Sequence, residues 1–213
     1  LAGQDELAGG TWLGMNDLGV VAGVLNRRGS LGPKEGYRSR GELPLEVLDH
    51  ADAAAAAAAL ADINPNGYRP FNLVFADNRD AYWLRLAETH WGLHAEVKPI
   101  PSGISLITSS DRNDISSARI RTYLPQFEKA ETPDPETGNW SAWQGLFASR
   151  MYDPDDGPEG AMMISTDSGF GTVSSSLIAL PSPEYVAANP GAGPVYLFAA
   201  GSPAETSYEL VAA

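Results

Sequence analysis

The stretch that decides the fold is residues 9–29, GGTWLGMNDLGVVAGVLNRRG. Residues 11–15 and 20–25 are short, mainly apolar runs that predict two β-strands. Between them, Asn16-Asp17-Leu18-Gly19 supplies the Asx and glycine residues that tight turns favour. The stretch therefore predicts a β-hairpin, and the second strand runs out into the polar residues Asn26-Arg27-Arg28.

Two polar runs, Asn26-Arg27-Arg28 and Arg38-Ser39-Arg40, allow two interpretations. Solvated loops are the common setting for such residues. Asn and Arg at a strand end also suit the recognition of an anion or an amide, because both donate directed hydrogen bonds. The sequence leaves both interpretations open.

Composition limits the classes of function. The chain has 213 residues, 43% of them hydrophobic, and a formal net charge of −13. This length and apolar content predict one globular domain with a sizeable core. The negative charge argues against nucleic acid and anionic membrane surfaces, which need clustered Lys and Arg. With no cysteine, disulfides, thiolate metal sites and a cysteine nucleophile within these residues are excluded.

The chain has no run of about 20 apolar residues, the length that a membrane span needs. The start of the chain contains no signal-like segment, and we expect a cytoplasmic protein. Because the sequence begins at Leu1 and not at Met, we also expect a processed or partial product.

The remaining chain alternates groups of strands with pairs of helices. This order predicts an α+β protein in which helices cover antiparallel sheet, with no linker or internal repeat. The expected helices are 39–48, 52–62, 116–130 and 140–150, and the expected strands are 71–76, 81–86, 94–99, 103–108, 161–166, 172–180, 195–200 and 208–211.

Other polar segments carry weaker signals. Residues 109–114, SSDRND, predict a turn with a helix N-cap, or else a polar wall of the cleft beside Asn26. The acidic residues 153–159 predict a solvated loop, with calcium as the alternative. His90 and His94 lack helix geometry and a third ligand, so we predict no metal site.

Several runs, taken in order, resemble one family. They are GGTWLGMNDLGVVAGVLNRRG, SRGELPLEVL, GYRPFNLVFAD, GISLITSSDRND and GFGTVSSSLIAL. The order and the first run in particular are similar to the NRDE family, that of transport and Golgi organisation protein 2. The resemblance extends to about Pro181.

The resemblance implies an N-terminal nucleophile hydrolase-like fold, a four-layer αββα sandwich of two antiparallel sheets flanked by helices. Residues 1–213 would form a single domain of this type that lacks its N-terminal strand or strands. The family's cysteine nucleophile and its Asn-Arg-Asp-Glu motif would precede Leu1.

The resemblance also implies an activity. Residues 14–26, GMNDLGVVAGVLN, are similar to a hairpin of choloylglycine-type amidases. In these enzymes an N-terminal cysteine attacks an amide, and an Asn of the hairpin stabilises the oxyanion. Asn26 matches that Asn, so we expect an N-terminal cysteine amidohydrolase acting on a non-peptide C–N bond in a small molecule, without a cofactor or metal. The expected substrate-binding residues are Trp12, Asn16, Arg27, Ser109 and Ser110.

A second function stays open on the same scaffold. Relatives often carry Leu-Ser-Asn where this chain has Thr108-Ser109-Ser110, and Arg where it has Val173. These differences suit a pocket that binds without reacting. Because eukaryotic members of the family it resembles are linked to haem and lipid handling, the resemblance implies as the alternative a non-catalytic carrier or trafficking factor for haem or lipid.

Overall fold

The computed structural model describes residues 1–6 and 9–211. It contains, in chain order, β1 (Leu13–Met15), β2 (Val21–Asn26), α1 (Glu42–Leu48), α2 (Ala53–Leu60), β3 (Phe71–Ala76), β4 (Ala81–Thr89), β5 (Gly92–Pro99), α3 (Ala118–Lys129), α4 (Ser141–Phe147), β6 (Ser175–Ala179), α5 (Pro183–Ala188), β7 (Val195–Ala199) and β8 (Glu209–Leu210).

The predicted α+β class with two antiparallel sheets is confirmed. One sheet has the strand order β1-β2-β3-β4-β5, and the other has the order β6-β7-β8. Every strand pair in both sheets is antiparallel. The chain forms two compact units, the first made of Leu1–Ser102, Ile107–Asp111 and Ser182–Pro190, and the second of Gly103–Leu106, Arg112–Pro181 and Gly191–Ala213.

The predicted hairpin is present as β1 and β2. Asn16 and Gly19 close its turn, since the Gly19 N–H donates to the Asn16 carbonyl at 3.1 Å and the Asn16 N–H to the Val20 carbonyl at 3.0 Å. Gly19 has a φ of 83°, a conformation that glycine adopts without steric cost. The hairpin places Asn26 at the end of β2 that lies away from this turn.

The core of the first unit lies between one face of the five-stranded sheet and helices α1 and α2. Alternate residues of β2 and β3 supply the sheet side, as expected for strands whose side chains alternate between two faces. Burying each large apolar side chain contributes about 2 kcal/mol. The core side chains include Ala22, Val24, Phe71, Leu73, Phe75, Leu43, Val47 and Leu60.

The predicted strand over residues 103–108 is wrong. This segment is irregular, because its backbone bonds to asparagine side chains and not to a neighbouring strand. The Leu106 N–H donates to Asn113 Oδ1 at 2.7 Å, and the Thr108 carbonyl accepts from Asn72 Nδ2 at 2.8 Å. Its apolar residues had suggested a strand, but its hydrogen bonds make it a loop.

The second unit contains α3, α4 and the three-stranded sheet. The predicted strand over residues 161–166 is wrong, since only Ser165 forms a β-bridge there, with Gly171. The Ile164 N–H instead donates to Thr172 Oγ1 at 3.0 Å. Phe127 of α3 packs edge-on against Trp143 of α4, with ring centroids 5.3 Å apart.

Helix α5 was not predicted. Ser182 caps it by accepting a hydrogen bond from the Tyr185 N–H at 3.2 Å, and Pro183 occupies the first turn. These are ordinary start signals for a helix. The helix has only six residues, too few to show an apolar period.

Among the described residues, no helix has both the length and the apolar character needed to cross a membrane.

Candidate functional site

Asn26 ends β2 with a polar atom that lacks a partner. In the register of β2 and β3, Asn26 lies opposite Phe71, so the two side chains share a face of the sheet. The Oδ1 atom of Asn26 is buried and accepts no hydrogen bond from the described residues. Leaving such an atom unbonded costs about 1–3 kcal/mol, which marks it as a group available to a ligand.

Arg27, the next residue, turns to the opposite face. Its Nη1 donates to Asn72 Oδ1 at 2.8 Å, and its Nη2 lies 2.7 Å from Asp111 Oδ1. The residue before it, Leu25, pairs with Asn72 in the register of β2 and β3. Arg27 is therefore fixed by a neutral amide on one side and a carboxylate on the other.

Asn72 is the centre of this arrangement. It has no exposed surface, and all four hydrogen-bonding positions of its amide are filled. Oδ1 accepts from Arg27 Nη1 and from Trp83 Nε1, the latter at 3.1 Å. Nδ2 donates to the carbonyls of Thr108 and Ser110, both at 2.8 Å. Asn72 thus joins the sheet to residues 107–111.

Arg85 of β4 completes the arrangement. It lies directly opposite Asn72 in the register of β3 and β4, and its Nη1 donates to Asp111 Oδ2. Its Nη2 is 3.8 Å from Glu96 Oε2 on β5. The buried Nε atom of Arg85 has no hydrogen-bond partner among the described residues. We call Arg27, Asn72, Arg85 and Asp111 the Asp111 cluster.

The Asp111 cluster holds one carboxylate between two guanidinium groups. The Arg27 and Arg85 side chains are 16% and 22% exposed, and that of Asp111 is 37% exposed. Both cations stand at or next to strands, whereas Asp111 lies in the irregular segment that follows residue 103. Paired guanidinium groups of this kind bind carboxylate or phosphate oxygens.

The structure brings three predicted site residues together. Ser109 and Ser110 bond to neighbours of Arg27: the Ser109 carbonyl accepts from the Arg28 N–H at 3.2 Å, and the Ser110 carbonyl accepts from Asn72, which also bonds to Arg27. They lie on the Arg27 side of the sheet, and a polar wall of the cleft beside Asn26 stays a prediction. Their carbonyls, and not their hydroxyls, make these contacts.

Asn16 lies at the other end of β2, next to the hairpin turn, and its amide is fully engaged. Its Nδ2 donates to the carbonyls of Leu48 and His50, both at 2.9 Å. Its Oδ1 accepts from the N–H groups of Leu18 at 3.0 Å and Val20 at 2.9 Å. Asn16 joins the hairpin to the end of α1, and the structure does not bring it to Asn26.

Trp12 precedes β1 and is 49% exposed. Its carbonyl accepts from the Val24 N–H at 2.9 Å, which places it two residues from the end of β2. Leu1 lies at the opposite end of the hairpin, where its amino group donates to the Met15 carbonyl at 2.7 Å. Trp12 is therefore the predicted aromatic residue on the Asn26 side.

Two further arginines fix the loop that follows Arg28. Arg40 is 8% exposed and donates to the carbonyls of Ser30 at 2.7 Å and Pro70 at 3.1 Å. Arg69 donates to the carbonyls of Leu31 at 2.6 Å and Gly32 at 2.9 Å. Burial, and then the nearby charge of Arg69, lower the pKa of Arg40. Arg40 is thus a structural cation and not a solvated one.

Three residues of the cluster, Asn72, Arg85 and Asp111, were not among the predicted site residues, although each left a signal. Asn72 and Arg85 are single polar residues inside the apolar runs FNLVFA and AYWLRLAET. A lone polar residue on an inner strand has to find a partner. Asp111 belongs to the polar run 109–114. Aspartate is common in turns, so the residue type alone did not distinguish Asp111 from its neighbours.

The acidic residues 153–159 and the two histidines His90 and His94 were the segments considered for a metal site. No group of three or more His, Cys, Asp or Glu side chains is placed to hold a metal ion within residues 1–6 and 9–211. In the acidic loop, Asp156 Oδ2 accepts from Arg121 Nη2 at 2.5 Å. His90 packs edge-on against the Trp91 ring, with centroids 4.9 Å apart.

Comparison with known proteins identifies one family model. It is described as Transport and Golgi organisation 2, and it matches residues 1–139. All four residues of the Asp111 cluster, and Asn26, lie within the match, while the run GFGTVSSSLIAL lies beyond it. No curated protein matches the chain.

Proposed function

The chain belongs to the Transport and Golgi organisation 2 family, and from this premise we propose that it hydrolyses a non-peptide amide bond of a small molecule. The observation that supports this proposal is the buried carboxamide of Asn26, whose Oδ1 has no partner among the described residues. Rotating the carboxamide by 180° exchanges Oδ1 and Nδ2. Asn26 can therefore offer an N–H donor in a position that excludes water.

The chemistry follows from an N-terminal cysteine supplied by the full-length protein. Its thiolate would add to the amide carbon, forming a C–S bond while the carbonyl oxygen takes up the negative charge. Asn26 would donate a hydrogen bond to this oxyanion. That hydrogen bond is stronger in the transition state than the one to the neutral carbonyl of the bound substrate. Collapse would expel the amine, protonated by the cysteine's α-ammonium group, and water would then hydrolyse the thioester.

The predicted substrate-binding residues differ in how they fit this proposal. The exposed ring of Trp12, on the Asn26 side, would cover the apolar part of the substrate. Binding by Arg27, Ser109 and Ser110 stays a prediction, because Arg27 turns to the face of the sheet opposite Asn26. Binding by Asn16 stays a prediction, since its amide would first have to release the hairpin and α1.

The test uses the full-length protein and a panel of chromogenic small-molecule anilides. Replacing Asn26 by Ala should lower kcat by about a hundredfold to a thousandfold, the usual effect of losing one oxyanion donor. Asn78→Ala is the matched control, because it removes a carboxamide from the exposed turn between β3 and β4. An unchanged kcat in Asn26→Ala contradicts the proposed role.

A carrier function is the second candidate, and the Asp111 cluster favours it. Arg27 and Arg85 both engage Asp111, an arrangement that suits reversible exchange with a ligand. An electrophilic amide probe separates the two functions, because a carrier forms no covalent adduct with it. Titration with haem, followed by absorbance, and with lipid vesicles tests the carrier directly.

A further inference from the structure

The Asp111 cluster has the form of a filled binding site. Two guanidinium groups converge on one carboxylate, and a carboxylate on a small molecule presents the same two oxygen atoms in the same plane. Asp111 is the most exposed of the three charged members. Its side chain can therefore leave at less cost than either arginine.

Arg27 is held in place independently of Asp111, and Arg85 has a second carboxylate beside it. Arg27 is anchored through Asn72, which is fully buried and fully bonded. Arg85 projects from the interior of β4, and Glu96 lies 3.8 Å from its Nη2. A site that stays preformed when its occupant leaves binds the next occupant without the cost of ordering side chains.

One donor of this site is unused. Arg85 Nε is buried and has no hydrogen-bond partner among the described residues, although Arg85 Nη1 reaches Asp111. A guanidinium binds a carboxylate best through two parallel N–H groups. Asp111 therefore fills the site only in part, and a free carboxylate could also engage Nε.

We propose that Arg27 and Arg85 form a carboxylate-binding site, which Asp111 occupies until a small molecule bearing a carboxylate displaces it. This proposal rests on the proposed hydrolase function in one respect, which is that the displacing molecule is called a substrate. The binding of a carboxylate does not depend on that function. Phosphate would share the charge of the ligand but not its planar pair of oxygens.

Trp83 provides a reporter for the test, because its indole N–H donates to the same Asn72 oxygen that holds Arg27. The full-length protein is titrated with benzoate, and with benzamide as the neutral isostere, while the tryptophan indole signals are followed by NMR. Trp83→Phe assigns the signal. Benzoate should shift it and benzamide should not.

The variant Asp111→Asn removes the internal competitor and should tighten benzoate binding by about tenfold, which is about 1.4 kcal/mol. Arg85→Gln should abolish it. Asp156→Asn, which breaks an Arg–Asp pair of the second unit, is the matched control and should leave binding unchanged. Circular dichroism verifies that each variant is folded.

Equal responses to benzoate and benzamide in the natural protein would overturn the proposal, as would no response up to the solubility of benzoate. Weaker or unchanged binding in a folded Asp111→Asn protein would also overturn it. Asn26→Ala should retain benzoate binding, so the failure of the hydrolase proposal and the failure of this one are distinguishable.

Discussion

Two asparagines near the junction of β2 and β3 are used in opposite ways. Asn72 fills all four hydrogen-bonding positions of its amide in a fully buried setting. Asn26, one strand away, leaves its buried Oδ1 unbonded. The first residue should therefore matter for stability, and the second for chemistry.

We expect Asn72→Ala to lower the free energy of unfolding by about 2–4 kcal/mol. The substitution strands the Trp83 indole N–H and two carbonyls, and each buried group without a partner costs about 1 kcal/mol or more. Urea unfolding measures the loss. Asn26→Ala is the comparison and should cost no more than about 0.5 kcal/mol, so similar losses in the two variants would contradict this assignment.

At the scale of single elements, Asp77 connects a turn to a helix. Its Oδ1 accepts from the N–H groups of Arg79 and Asp80 in the turn between β3 and β4, and its Oδ2 accepts from Ala53 at the start of α2 at 2.9 Å. Burial raises the pKa of Asp77, but the backbone bonds from Ala53, Asp80 and Arg79 together outweigh it and set the pKa below its usual range.

A lowered native pKa gives this contact a defined pH dependence. The stabilisation is complete above the unfolded-state pKa of about 3.9 and is lost as the pH falls through the native pKa. We therefore expect Asp77→Asn to cost about 1–2 kcal/mol near pH 6, and the difference from the natural protein to shrink near pH 2.5. Chemical unfolding at both values of pH measures it.

Asp80→Asn is the control for Asp77, since Asp80 is an exposed carboxylate of the same turn. It should change the free energy of unfolding by less than about 0.5 kcal/mol at either pH. A cost of Asp77→Asn that stays constant from neutral to acidic pH would show that its carboxylate charge has no part in the contact.

The glycine at position 10 allows two segments to touch. A Cβ built on Gly10 would lie 2.4 Å from the carbonyl carbon of Gly41, just before α1, where the Thr11 N–H donates to the Gly41 carbonyl at 2.9 Å. We expect Gly10→Ala to destabilise the fold by about 2–3 kcal/mol, because the backbone has to move. Thermal unfolding detects it as a lower Tm.

Gly3→Ala provides the matched control, since a Cβ at Gly3 would meet nothing within 4 Å. Its Tm should equal that of the natural protein. A Gly10→Ala protein as stable as Gly3→Ala would mean that the contact between Gly10 and Gly41 is not tight in solution.

How far the sequence predicts these elements depends on where their backbone hydrogen bonds go. β3 was predicted with its observed bounds, Phe71–Ala76, because an apolar run between turn residues bonds to its neighbouring strands. Residues 103–108, GISLIT, also carry alternating apolar residues but bond to Asn72 and Asn113. Only the tertiary structure shows that partners of this kind exist.

The candidate site follows the same pattern. Asn26 and Arg27 were predicted because they end a hairpin strand that can be recognised within one stretch of sequence. The Asp111 cluster unites residues from β3, β4 and residues 107–111, which are far apart along the chain. The register of β3 and β4 places Arg85 opposite Asn72, and the turn between these strands carries a signal for that pairing, but no sequence pattern joins the pair to Arg27 and Asp111.

At the scale of the whole molecule, the prediction of a single domain can be tested. The chain passes from one compact unit to the other at residues 102–103, 106–107, 111–112, 181–182 and 190–191. Neither unit is therefore one continuous segment. We expect a single cooperative thermal transition, with equal calorimetric and van't Hoff enthalpies. Two resolved transitions would contradict a single domain.

The loop fixed by Arg40 and Arg69 has a consequence for the working range of the protein. Both guanidinium groups bond to carbonyl oxygens, so these contacts do not depend on a carboxylate that acid could neutralise. Mobile ions also weaken partly buried contacts less than exposed ones. The part of the loop that Arg40 and Arg69 hold should therefore keep its shape in acidic or saline surroundings that would loosen ordinary ion pairs.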